Sequence, residues 1–150
     1  MIKKTNKESW FKNCWRRILV DMHIPDWSPE FLSKLDPEKY VKMMEAGGTK
    51  GVMLYANSHV GLCYYPTKTG QMHKNLHNHG FFGEVTDLCH ERGLKVVIYY
   101  SLIFNNWAYI NHPDWRIRPG GKQLTGTRYG LCCPNSPYRQ FALEQTAIVH

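Results

Sequence analysis

Short, unbroken apolar runs alternate along this chain with stretches whose apolar residues recur at helical spacing. Arg17-Ile18-Leu19-Val20-Asp21-Met22-His23 is the first run, Gly51-Val52-Met53-Leu54-Tyr55-Ala56 the second and Lys95-Val96-Val97-Ile98-Tyr99-Tyr100-Ser101 the third. Their apolar character is nearly continuous, so each predicts a strand covered on both faces. Asp36-Pro37 reads as an N-cap with proline at the first helical position, followed by Tyr40, Val41 and Met44 on one face and by Gly47-Gly48 as the stop. Phe81, Val85, Leu88 and Cys89 keep the i, i+4, i+7, i+8 spacing of a second helix that Gly93 closes. Ser136-Pro137 opens a third, with Tyr138, Phe141 and Ala142.

The order strand, helix, strand, helix, strand, helix predicts parallel strands joined by right-handed crossovers. Connections from helix to strand are a few residues long, whereas those from strand to helix, including 57–79 and 102–135, are long loops. All the elaboration therefore falls at the carboxyl ends of the strands, where parallel α/β folds build their sites. A nucleotide-binding sheet would follow its first strand with a glycine-rich phosphate loop, but Met22-His23-Ile24-Pro25-Asp26-Trp27 stands there. The expected fold class is α/β, the amino-terminal part of a (β/α)8 TIM barrel of about three βα units. Ala147-Ile148-Val149-His150 lies inside a helical pattern with no stop signal, and three parallel strands would leave an open edge, so the chain reads as a truncated piece of that barrel.

Composition changes this picture little. With 43% apolar residues the chain has the means to build a core, and its net charge of +7 sits mainly in two places. Residues 1–17 carry Lys3, Lys4, Lys7, Lys12, Arg16 and Arg17 against Glu8, and residues 115–139 carry Arg116, Arg118, Lys122, Arg128 and Arg139 with no acid. Nothing in the sequence gathers these charges on one face, so neither a nucleic acid nor a membrane is expected as partner. The longest apolar run falls well short of the about 18 residues of a membrane span, and Ile18-Leu19-Val20 is too short for a signal-peptide core. A cytoplasmic protein is the default, and Cys14, Cys63, Cys89, Cys132 and Cys133 read as reduced thiols. Trp10 and Trp15, ahead of the first strand, are expected to pack at the end opposite the site.

At the strand ends stand His23 with Asp21, Asp26 and Trp27, then Asn57, Ser58 and His59, then Tyr100 and Ser101, with Asn105, Asn106, Trp107 and Tyr109 beyond. Imidazole, amide and hydroxyl groups donate to and accept from sugar hydroxyls, and aromatic faces cover the C–H face of a pyranose. The collection predicts a carbohydrate pocket. Tyr99 and Tyr100 point to opposite faces, and Tyr100 is taken as the inward one. Trp27 and Trp107 are open to two readings, sugar stacking or packing over the mouth. His73, His77 and His79 could share a metal if helical, but Asn75, Asn78 and Gly80 favour a loop and no fourth ligand is evident, so no metal is assigned.

Glycosidase chemistry needs two carboxyl groups about 5–10 Å apart. Only Asp21, Asp26, Glu30 and Asp114 lie near the expected mouth, and none ends the second or third strand, so no catalytic residue is assigned. Ser101 lacks the flanking glycines of a nucleophile elbow, and Cys132-Cys133-Pro134 has no evident base.

Four segments carry a resemblance that runs from about Arg16 to the end. Asp21-Met22-His23-Ile24-Pro25-Asp26-Trp27 matches an F-x-x-H-W segment, Ser58-His59-Val60-Gly61-Leu62 an H-H-D-G-F segment, and Gly93 to Ser101 a G-L-K-x-x-x-Y-Y-S segment. Cys133-Pro134-Asn135-Ser136-Pro137-Tyr138-Arg139 matches C-P-N-S-P-Y-R. In these the chain resembles glycosidases related to the α-L-fucosidases of glycoside hydrolase family 29, in particular the group called hypothetical glycosyl hydrolase family 6.

The resemblance implies a retaining glycoside hydrolase whose full-length form uses two carboxylates, with residues 1–15 as a basic extension and 16–150 as an incomplete catalytic barrel domain. It implies sugar-hydroxyl binding by His23 and His59, and a nucleophilic Asp and an acid/base that both follow residue 150. Ser58, Val60 and Leu62 replace the family's His, Asp and Phe. The substrate-binding set is then His23, Asp26, Trp27, Ser58, His59, Tyr100 and Trp107, the partner is a carbohydrate, no cofactor is called for, and an oligomer is left open for the full-length form. A non-catalytic carbohydrate-binding module and a β-galactosidase-like specificity are the alternatives.

Overall fold

The three apolar runs become the three strands of one parallel sheet. In the computed structural model, which describes residues 10–77, 80–122 and 126–147, the chain runs α1 (Trp10–Asn13), β1 (Arg17–Leu19), α2 (Pro37–Ala46), β2 (Gly51–Tyr55), β3 (Leu62–Cys63) and β4 (Gln71–Met72). It continues through α3 (Phe81–Glu91), β5 (Lys95–Tyr99), α4 (Asn106–Asn111) and α5 (Tyr138–Ala147). The sheet order is β1-β2-β5, all parallel, with Val52 between Ile18 and Val96 and with Tyr55 beside Tyr99. A separate parallel pair, β3-β4, forms within the loop after β2.

The helix signals act as read. Asp36 accepts from the Lys39 amide at 2.9 Å, Pro37 opens α2, and the Gly47 amide returns to the Met43 carbonyl. Tyr40, Val41 and Met44 of α2, with Phe81, Val85 and Cys89 of α3, cover one face of the sheet, where Val52 and Leu54 are sealed from water. Burying a side chain such as Leu54 contributes about 2 kcal/mol. Strand alternation turns Met53, Tyr55, Val97 and Tyr99 to the other face. All five cysteines are free thiols, four of them buried.

Several expectations need correction. The first strand is not the seven residues Arg17–His23 but three, and it is not covered on both faces: Ile18 and Leu19 are 40% and 47% exposed. Among the described residues β2 is its sheet neighbour, and beyond Leu19 the chain leaves the ladder; Met22 turns into the core and its carbonyl accepts the Tyr64 hydroxyl. Trp10 and Trp15 do not pack inward but are exposed, Arg16 lying over the Trp15 ring. Residues 1–9 of the basic extension lie outside the described residues.

The described parts of the two long loops are structured. Residues 57–79 hold β3, β4 and a 3₁₀ turn at Lys74–Leu76, and residues 102–135 hold α4, capped by Asn105, whose Oδ1 accepts the Ala108 amide at 2.8 Å. α4 and α5 share a second small core of Ala108, Cys132, Tyr138, Phe141 and Ala142. Gln145 of α5 ties this unit to the loop after β2: it accepts the Tyr100 hydroxyl at 2.7 Å, donates to the Thr69 carbonyl at 2.7 Å, and its own carbonyl accepts from Tyr65.

Candidate functional site

Past the carboxyl end of the sheet the chain brings two imidazoles into contact. His23 leaves β1 and His59 sits in the turn after β2; their rings stack with centroids 3.9 Å apart and 22° between planes. The His59 amide donates to Nδ1 of His23 at 3.3 Å, which fixes the His23 proton on Nε2. At the end of β5, the Tyr99 hydroxyl lies 2.9 Å from Nε2 of His59, and its ring stacks on Tyr55 at 4.1 Å because the register puts the two tyrosines side by side. Asp21 joins through one oxygen, accepting from the His23 amide at 3.1 Å and the Tyr55 hydroxyl at 3.3 Å, with Nε2 of His23 3.9 Å away.

The His59 turn is held by backbone bonds. Its carbonyl accepts the Asn106 amide, and the Val60 carbonyl accepts the Trp107 amide, both at 3.0 Å. Gly61 adopts φ +88°, and a Cβ there would lie 2.7 Å from the Trp107 nitrogen, so this close approach requires glycine. Phe104 meets the His59 ring at 4.7 Å, and Tyr129 lies 5.7 Å from His23 and 5.3 Å from His59.

Burial favours the neutral form of both imidazoles. Burial lowers the pKa of His23, opposed by the Asp21 charge and reinforced by Arg128. Burial also lowers that of His59, with His23 adding to it and Asp21 opposing. The Tyr99 hydroxyl is raised by burial and then by Asp21, so it remains a donor. The site thus offers neutral nitrogens, phenols and one carboxylate to a polar ligand.

Not every predicted residue joins it. Tyr100 does not: its hydroxyl turns to Gln145 on the helix side, and Tyr99 takes the inward place, because the last paired residue of β5 stands opposite Tyr55. Ser58 is fully buried and serves its own turn, its hydroxyl accepting from the Val60 amide. Trp107 lies flat on Phe141, 5.9 Å between centroids, so its ring packs on α5 while its amide holds the His59 turn. Trp27 is 72% exposed against Phe31, and Asp26 shares its loop; neither touches the imidazole pair. Asn57 is buried, and its Oδ1 accepts the Ser101 amide at 2.7 Å, locking the ends of β2 and β5 together. His73 is buried too, with Nε2 3.2 Å from the Pro25 carbonyl and Nδ1 accepting from Asn75. His79 lies outside the described residues, and among the described residues no three His, Cys, Asp or Glu side chains gather as a metal site would need. No described helix is long and apolar enough to cross a membrane.

Sequence reasoning missed Tyr55, Tyr99, Phe104 and Tyr129, and gave Asp21 no role. Strand register was the available signal for the tyrosine pair; nothing local pointed to Phe104 or Tyr129.

A parallel βα array with its polar cluster past the strand ends defines the class: an α/β protein whose site is built from strand-to-helix loops. Within it, the chain belongs to the family described as Hypothetical glycosyl hydrolase 6, which matches residues 36–149. Its fold is similar to that of alpha-L-fucosidase isoenzyme 2 from Paenibacillus thiaminolyticus, with a TM-score of 0.78, 24% identity, and coverage of 87% of this chain and 21% of that one. It is also similar to a family 29 alpha-L-fucosidase from Bacteroides thetaiotaomicron trapped as a covalent intermediate, with TM-score 0.52, 24% identity, and coverage of 81% and 24%. The chain spans under a quarter of the length of either enzyme, in their amino-terminal part. A comparison with curated protein sequences finds no match.

Proposed function

We propose that residues 16–150 are part of a (β/α)8-barrel catalytic domain of an α-L-fucosidase-like glycoside hydrolase, and that His23, His59 and Tyr99 hold the sugar. The stacked neutral imidazoles bonded to Tyr99 are the observation that carries this reading. His23 presents an N–H at Nε2, and Tyr99 holds the His59 ring edge, so together they orient ring hydroxyls by donating and accepting at fixed positions. Asp21 offers its second oxygen as an acceptor. In a retaining reaction one carboxylate attacks the anomeric carbon while a second protonates the leaving oxygen, and water then releases the sugar. The resemblance assigns both carboxylates to sequence beyond residue 150, which leaves the residues here to bind and orient.

The test is titration of the full chain with methyl glycosides, followed by NMR, alongside hydrolysis of chromogenic glycosides. Sugar contacts should perturb His23, His59 and Tyr99 first, and His59→Ala should abolish binding. Binding undiminished in His59→Ala would sink the assignment.

A further inference from the structure

The segment joining β5 to α5 returns to the imidazole stack and passes it at Arg128-Tyr129-Gly130. The Gly130 carbonyl accepts the Asn105 amide at 3.0 Å, and its amide donates to Oδ1 of Asn106 at 3.3 Å. A Cβ at Gly130 would collide with the Tyr109 ring. The segment that holds the His59 turn therefore also holds Tyr129, whose ring lies within 6 Å of both imidazoles. Directly before it, the Arg128 guanidinium carbon sits 5.1 Å from the Tyr129 ring centroid. A permanent cation, itself exposed to solvent, is thereby set at the rim of the imidazole site.

Its neighbours on the loop are occupied. Arg116 donates to the Tyr109 carbonyl at 2.7 Å and Arg118 to the Pro113 carbonyl at 3.1 Å. Among the described residues Arg128 has neither a carboxylate partner nor a carbonyl acceptor, and residues 115–139 contain no acid. Asp21 is the carboxylate of the cluster, and the oxygen it turns inward is engaged by Tyr55 and His23. Neutral sugar hydroxyls are already served by His23, His59 and Tyr99. A guanidinium beside them adds a flat, always-charged fork that matches the paired oxygens of a carboxylate or sulfate.

We propose that the sugar held at His23 and His59 carries an anionic substituent, a carboxylate or a sulfate ester, that Arg128 binds, with Tyr129 as the apolar wall beside it. The proposal rests on the sugar-site reading above and narrows its substrate class to acidic glycans.

The test is calorimetric titration of the full chain with methyl α-L-fucoside and with matched methyl glycosides of galacto and gluco configuration, the latter each as neutral sugar, uronic acid and 6-sulfate. At low salt one acidic form should bind at least about ten-fold more tightly than its neutral counterpart, and which acid does so separates carboxylate from sulfate. Arg128→Gln should erase that advantage while leaving neutral-sugar binding in place, and His59→Ala should abolish all binding. Equal affinity for neutral and acidic forms, unchanged in Arg128→Gln but lost in His59→Ala, overturns the acidic substituent and leaves the sugar site standing. An acidic preference that survives His59→Ala overturns the proposal as diffuse surface charge. Absence of binding across the whole panel overturns both readings together.

Discussion

The two faces of the sheet differ in kind. Toward α2 and α3, Val52 and Leu54 pack with Val41 and Val85 in an apolar layer sealed from solvent. On the other face Tyr55 and Tyr99 lie side by side, and past the strand ends His23 and His59 stack in partial contact with solvent. One face is organised by shape and apolar area; the other by hydrogen-bond direction, where a methyl group more or less changes little and a lost hydroxyl changes the site. The difference separates residues that hold the fold from those that meet a ligand, even when they are neighbours in sequence.

The largest effect should come from the dry side. Leu54→Ala leaves a cavity between sheet and helices and should cost about 2–5 kcal/mol in urea unfolding, while ligand contacts of the surviving folded molecules stay the same. Next, His59→Ala should reverse the pattern, costing under about 1 kcal/mol of stability yet removing at least about 1–2 kcal/mol of sugar affinity by calorimetry. The sharpest comparison is between adjacent residues. Tyr99→Phe should weaken sugar binding by about 1 kcal/mol with little effect on unfolding, whereas Tyr100→Phe should lower stability by a similar amount, through Gln145, and leave binding alone.

The smallest effect is the pH dependence. His23, His59 and His73 are all held below the ordinary imidazole value of 6.5, chiefly by burial. Between the folded and unfolded values the unfolded chain binds more protons, so the stability these neutral rings supply is present above pH 6.5 and is lost as pH falls below it. A melting temperature that declines on acidification from pH 7, with a shallower slope in His59→Ala, checks the sign.

Much of the dry side was legible in the sequence because its signals are local. Asp36 caps, Pro37 starts and Gly47 stops α2, and the spacing of Phe81, Val85 and Cys89 sets the buried face of α3, whatever the rest of the chain does. The polar side was legible only in part. His23 and His59 follow apolar runs and could be found, but choosing Tyr99 over Tyr100 needs the register against Tyr55, a fact of pairing that no single run contains. The brevity of β1 and the return of Tyr129 are likewise tertiary facts; an apolar run does not reveal which neighbour covers it. Trp107 stayed open to two readings for the opposite reason, since an aromatic ring suits packing on Phe141, where it lies, as well as it suits a sugar.

Gln145 has a consequence for the order in which the molecule assembles. Its bonds to Thr69, Tyr65 and Cys63 close loops of 76, 80 and 82 residues, far longer than any contact within α2, α3 or the strand pairs they join. Chain-closure entropy places such contacts after the local βα units, so α5 is expected to dock onto the β1-β2-β5 sheet, and to lock the loop beside it, once that sheet has formed.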